Sequence, residues 1–145
     1  MSARRQRQMC IRDSITPNHY ELSWLAGHDV GGQDDSARAA GDLVDRYGLK
    51  AVVTTGVTGD GRTGDLLVTA DNGTRWQAAG DAGKNVAGGG DLLTALLAGM
   101  LNLGCQLPDA FKAASHTAQS IIAASPDGRD LALLESLETV RALAR

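Results

Sequence analysis

Four residues in a row, Gly88-Gly89-Gly90-Asp91, have the types and spacing for phosphoryl transfer. Ordered glycines in succession cost backbone entropy, so such a run implies a close approach to the main chain or a positive φ. The apolar stretch Leu92 to Leu103 follows at once and reads as a helix in which only Thr94 and Asn102 are polar. The glycines therefore lead into a helix N-terminus, whose unpaired N–H groups and positive dipole end favour an anion. Asp91 adds a single carboxylate in the first turn beside it, and the pairing suggests phosphoryl transfer. The alternative for an isolated Gly-Gly-Gly-Asp is a turn with Asp91 as helix cap, and the local sequence leaves both readings open.

A second constellation lies near the other end of the chain. Pro17 biases Thr16 to an extended backbone, Asn18 can cap a helix starting at His19, and Glu21 stands three residues on, at capping-box spacing. From spacing alone, capping is the favoured role for the pair. Thr54 and Thr55 close the apolar strand Lys50 to Gly56, at the end where open α/β sheets bind ligands, although ordinary strand threonines would look the same. His116 falls within a helix with Ser120 one turn on and no acid at helical spacing, which favours a packing or surface role. Cys10 and Cys105 have no metal-ligand spacing, and Cys105 is expected to be a buried, small apolar residue.

The elements that must position these groups follow the pattern of an α/β protein. Residues 1–13 show no apolar face and read as a disordered or foreign basic head. A short strand ends at Thr16, and the helix after Asn18 offers Tyr20, Leu22, Trp24 and Leu25 as its apolar face. A second helix opens at Asp34 or Asp35, carries Ala37, Ala40, Leu43, Val44 and Tyr47 at helical spacing, and stops at Gly48. The strand through Val52 and Val53 is continuously apolar, as in a parallel sheet buried on both faces. Gly59-Asp60-Gly61 is a turn, and residues 65–70 and 74–78 form a hairpin around Asn72-Gly73. After the glycine run come the buried helix to Leu103, a helix from Leu107 through Phe111, Ala114, Ala118 and Ile121, and a last helix from about Leu131 to Leu143.

Composition sets outer bounds. The chain has 145 residues, 43% hydrophobic and 21% charged, enough for one domain. Aromatics make up only 3%, which argues against a base-stacking nucleic-acid binder. Arg4, Arg5, Arg7 and Arg12 stand without an acid in residues 1–12, leaving ten basic against 17 acidic residues, net −7, elsewhere. So acidic a body is a poor partner for polyanions. No apolar run has membrane-spanning length, and a cytoplasmic protein is the default expectation.

The order of these parts resembles the C-terminal half of the ribokinase-like sugar and vitamin kinases, and among them the pyridoxal kinases. The resemblance rests on Thr16-Pro17-Asn18 with Glu21, the strand ending at Thr54, the hairpin Leu66-Leu67-Val68-Thr69-Ala70, Gly88-Gly89-Gly90-Asp91 and the closing Leu133-Leu134-Glu135. It covers residues 14 to about 143. It implies a three-layer α/β/α fold, truncated to its C-terminal half, with residues 14–145 as half of a kinase domain.

The function it implies is ATP-dependent phosphorylation of the 5′-hydroxymethyl group of pyridoxal. A sugar or hydroxymethylpyrimidine kinase, and a non-catalytic nucleotide-binding fragment, are the alternatives. Asp91 would be the catalytic base, and Gly88, Gly89 and Gly90 would offer N–H groups to charge developing on the γ-phosphate. Asn18 and Glu21 would stand on the magnesium and phosphate side of ATP, with Thr16 and Thr54 near the nucleotide. A small-molecule alcohol is the expected partner, with neither nucleic acid nor membrane, and the full-length parent would be a homodimer.

Two departures from the family pattern carry expectations of their own. Gly89 stands where Thr or Val is common, which loosens the loop. The first half of the family's fold has no counterpart, so the chain alone is expected to be inactive and to present Val52-Val53 as an unpaired edge or face.

Overall fold

The computed structural model describes residues 13–71, 73–81, 88–126, 136–143 and 145. Its strands are β1 (Ser14–Ile15), β2 (Ala51–Gly59), β3 (Arg62–Thr69) and β4 (Thr74–Asp81). Its helices are α1 (His19–Ala26), α2 (Gln33–Tyr47), α3 (Gly89–Asn102), α4 (Leu107–Ala124) and α5 (Leu137–Leu143). One mixed sheet has the order β1-β2-β3-β4. The chain divides into two compact units, residues up to 59 with 64–76, and residues 60–63 with 77 onward.

In the first unit β1 runs parallel to β2, with Ser14 opposite Ala51, Ile15 opposite Val52 and a further bridge from Asn18 to Thr55. Helices α1 and α2 pack on β2. Leu22, Val30, Ala40, Leu43, Val52 and Leu66 belong to the core they enclose. Helix α2 ends at Gly48, which takes the left-handed conformation (φ 62°) that an L side chain resists. Ala51 and Val53, on the opposite face of β2, are also fully buried.

Strand β2 is longer than the sequence indicates, because Gly56 (φ 69°) inserts a bulge rather than ending it. Val52 and Val57 share one core although their positions differ by an odd number, so strict alternation is broken between them. The hydrogen bonding agrees. A two-residue hairpin would set Lys50 opposite Asp71, yet the Ala70 N–H reaches the Lys50 carbonyl at 2.9 Å. The turn from β2 to β3 is Asp60-Gly61, both at positive φ (50° and 73°), the two-residue type I′ geometry for which Asp-Gly is suited.

Several expectations are corrected. Val52-Val53 is neither an edge nor an open face, since β2 lies between β1 and β3 and both valines are fully buried. Helix α1 turns Leu22 inward, while Tyr20 and Trp24 are 78% and 77% exposed. Around an eight-residue helix, Tyr20, Glu21, Trp24 and Leu25 share one side, opposite Leu22 and Ala26, so one apolar arc must face solvent. Tyr47, one residue before the Gly48 cap, is likewise exposed.

In the second unit α3 and α4 pack on each other as a helical hairpin across a connection at 103–106, where Gly104 has φ 90°. Phe111, Ala114, Ala118 and Ile121 form the buried face of α4, as the spacing indicates. Helix α3 is not buried all round. It sets Leu93 and Leu97, one turn apart, into the core, while Leu101 and Leu103 stay exposed. Cys105 is half-buried rather than buried, and His116 is exposed, its carbonyl rather than its ring accepting from Ser120 (2.9 Å). The Asn72 turn residue, Cys10, the basic head to Arg12 and Leu133-Leu134-Glu135 lie outside the described residues.

Candidate functional site

The first group of candidate residues gathers where β1 hands over to α1. Pro17 is buried and its carbonyl accepts the Thr55 N–H (3.1 Å), which holds residues 16–18 alongside β2. Asn18, extended at ψ 172°, caps α1: its Oδ1 accepts the Glu21 N–H (2.8 Å), and Glu21 Oε2 accepts the Asn18 N–H (2.9 Å). The capping box read from the sequence is therefore present. It leaves the Asn18 side-chain NH₂ and one Glu21 oxygen for other partners, and both side chains are exposed.

Thr16 is half-buried. Thr54 is fully buried, and its Oγ1 has no hydrogen-bond partner among the described residues. An orphaned buried hydroxyl carries a desolvation cost, which sets Thr54 apart from an ordinary strand threonine. Thr55, its neighbour, is 8% exposed.

A residue without a sequence signal joins this group. The His19 ring Nε2 lies 2.7 Å from the Gly31 carbonyl, twelve residues on, and so donates to it. Ser23, one turn along α1, donates to the His19 carbonyl (3.3 Å) and accepts the Val30 N–H (3.1 Å). The loop entering α2 is thus held on α1 at two points. Gly32, which starts α2, lies so close to β2 that a Cβ there would stand 3.2 Å from the Thr58 carbonyl.

The second group is the start of α3. Gly88 is the N-cap in the left-handed conformation (φ 88°), which supplies one of the two reasons for a glycine run. Gly89 supplies the other: a Cβ there would stand 3.1 Å from Ile122 Cδ1 of α4. The Leu92 N–H bonds to the Gly88 carbonyl (2.9 Å), so the N–H groups of Gly89, Gly90 and Asp91 have no intrahelical acceptor. Thr94 Oγ1 donates to the Gly90 carbonyl (3.0 Å) and steadies the first turn.

Asp91 does not cap this helix, whose start has no side-chain cap. Its carboxylate is exposed and makes no hydrogen bond or ion pair among the described residues. Among the described residues the arrangement is a helix N-terminus without a side-chain cap beside an unengaged carboxylate, which can hold an anionic group and take up a proton.

A metal built into the protein does not fit the first group, since no cluster of three His, Cys, Asp or Glu exists among the described residues. One free carboxylate oxygen on Glu21 fits a magnesium ion that arrives on phosphates and keeps most of its waters. Among the described residues no helix is long and apolar enough to cross a membrane.

Comparison with known proteins places the chain in a family. The profile of the phosphomethylpyrimidine kinase family matches residues 1–131. The bifunctional protein HldE of Acidiphilium cryptum is 34% identical over 95 residues, 66% of this chain and 19% of its own length. Pyridoxal kinase from Entamoeba histolytica superposes with a TM-score of 0.80 at 22% identity, over 90% of this chain and 48% of that one. Pyridoxal kinase from Leishmania donovani, in complex with ADP and pyridoxine, gives 0.75 at 20% identity, over 89% of this chain and 48% of that one. The chain thus spans about half the length of these solved structures, and the superpositions establish the fold. The profile match makes the chain a member of the phosphomethylpyrimidine kinase family, within the ribokinase-like superfamily.

Proposed function

We propose that this chain is the C-terminal part of an ATP-dependent kinase that phosphorylates the 5′-hydroxymethyl group of pyridoxal. The observation that carries the reading is the start of α3, where Asp91 is exposed, makes no side-chain cap and is unengaged among the described residues. A loose phosphoryl-transfer transition state asks for positioning and electrostatics rather than covalent help. Bound ATP supplies the γ-phosphoryl group. Asp91 takes the proton from the hydroxymethyl oxygen, and the N–H groups of Gly89 and Gly90, with the helix dipole behind them, hold negative charge on the phosphoryl oxygens. Asn18, through its free NH₂, takes a phosphate oxygen. Glu21 takes magnesium, directly or through water, with its unengaged oxygen.

Hydroxymethylpyrimidine is the second candidate alcohol, and the match to the phosphomethylpyrimidine kinase family supports it only as far as the methylpyrimidine ring. Both alcohols present a primary hydroxyl on a heteroaromatic ring, and one general base serves either. Turnover of ATP with pyridoxal against hydroxymethylpyrimidine decides between them. The half length relative to the solved structures gives a second expectation: the chain alone binds nucleotide without turnover, and turnover appears once an N-terminal half is supplied. ATP consumption with neither alcohol in the completed protein overturns the reading.

A further inference from the structure

We infer that His19 is a positioning residue for the nucleotide-facing end of α1, an inference that rests on the roles just given to Asn18 and Glu21. His19 is the first residue of α1, directly after the Asn18 cap. Its ring Nε2–H donates to the Gly31 carbonyl at 2.7 Å. Gly31 is followed by Gly32, the N-cap of α2, and Gly32 abuts the Thr58 carbonyl of β2. The ring therefore ties the first turn of α1 to a loop that is itself lodged against the sheet.

The other ties on this turn are local or lie to one side. The capping box fixes Asn18 and Glu21 relative to each other, and Thr55 holds Pro17 from the β1 side. Ser23 holds the same loop through Val30, but a full turn farther from the cap. His19 alone among these contacts reaches from the cap turn across to the α2 side. A hydrogen bond of this kind sets where the Asn18 NH₂ and the free Glu21 oxygen stand, without touching nucleotide.

The test is binding of the magnesium complex of a non-hydrolysable ATP analogue to the 145-residue chain, measured calorimetrically with wild type, His19→Ala, His19→Gln and Asn18→Ala. Each is corrected for its folded fraction by denaturant unfolding. The expected result is a Kd raised about 10-fold in His19→Ala, the low end for losing an outer contact that orients a ligating group. Recovery to within about 3-fold is expected in His19→Gln, whose amide N–H can still donate to a carbonyl.

Asn18→Ala separates the two layers of the argument. Weakened binding in Asn18→Ala with an unchanged Kd in His19→Ala overturns the positioning role and leaves the site reading standing. Unchanged binding in Asn18→Ala, or no binding by the wild-type chain, removes the nucleotide site at α1 and the role of His19 with it. A His19→Gln chain as weak as His19→Ala shows that the ring itself, not its hydrogen bond, is what matters, and also overturns the inference.

Discussion

Asn18 and Glu21 satisfy each other's backbone across the first turn of α1, at 2.8 and 2.9 Å, and each still has polar atoms to spare. Capping and the proposed ligand contact therefore fall on different atoms of the same two side chains. Glu21→Gln separates them. A glutamine completes a capping box as well as a glutamate does, so unfolding should be nearly unchanged, while the negative oxygen proposed to meet magnesium is lost. In the completed kinase we expect a lower kcat and a higher magnesium requirement. Kinetics across a magnesium titration checks this, and wild-type behaviour at every concentration would reduce Glu21 to a cap.

The turn between β3 and β4 has a titrating group with a definite sign. Thr69 donates its hydroxyl to the Asp71 carboxylate, and the Gly73 N–H adds a second bond at 3.3 Å. Both favour the ionised form and hold Asp71 below the ordinary carboxylate range, the Thr69 bond most of all. The unfolded chain has the ordinary value, so ionised Asp71 favours the fold above that value, and the contribution disappears as pH falls through the lower, folded one. Thr69→Val should raise the Asp71 titration midpoint. An NMR titration of the carboxyl carbon that gives the same midpoint in both chains would remove the hydroxyl as the cause.

Gly89 makes a packing prediction. A methyl group there meets Ile122 Cδ1 at 3.1 Å, and Ile122 must give way. Ile122→Val deletes that atom. Gly89→Ala should therefore be more favourable by about 1 kcal/mol in the Ile122→Val background than in the wild type, within the range for residues in contact. Denaturant unfolding of the four chains in the cycle measures the coupling, and additivity would refute the contact.

Much of the frame was legible because it is local. Pro17, Asn18 and Glu21 announce a strand end and a helix start, Gly48 a helix stop, and Gly88 a positive φ, each through the conformational limits of single residues. What failed to show depends on partners distant in sequence. Periodicity around the short α1 offers two apolar arcs, and contact with α2 and β2, not hydrophobicity, selects Leu22 over Trp24. An all-apolar α3 reads as buried, yet in the fold Leu93 and Leu97 go inward and Leu101 stays exposed. Gly56 looks like a strand end and is a bulge, because a glycine breaks alternation in either case. The tie from His19 to Gly31 spans twelve residues and no local rule foretells it.

Asp91 is the residue on which the proposed chemistry turns, and its lack of other partners among the described residues makes the test clean. As general base it must be ionised and within hydrogen-bond reach of the acceptor hydroxyl. Asp91→Asn keeps the size and polarity but cannot accept a proton. Since Asp91 makes no cap, and no ion pair among the described residues, the substitution removes only its interaction with the helix dipole, about 0.3–1 kcal/mol at an exposed site. Stability should therefore barely move. Turnover should fall by roughly 10²-fold to 10⁴-fold in the completed kinase, with nucleotide affinity changed far less. Alcohol-dependent ATP consumption per folded molecule is the measurement. A variant that keeps more than about a tenth of wild-type kcat would exclude Asp91 as the base, because losing a positioned base costs at least about 10²-fold.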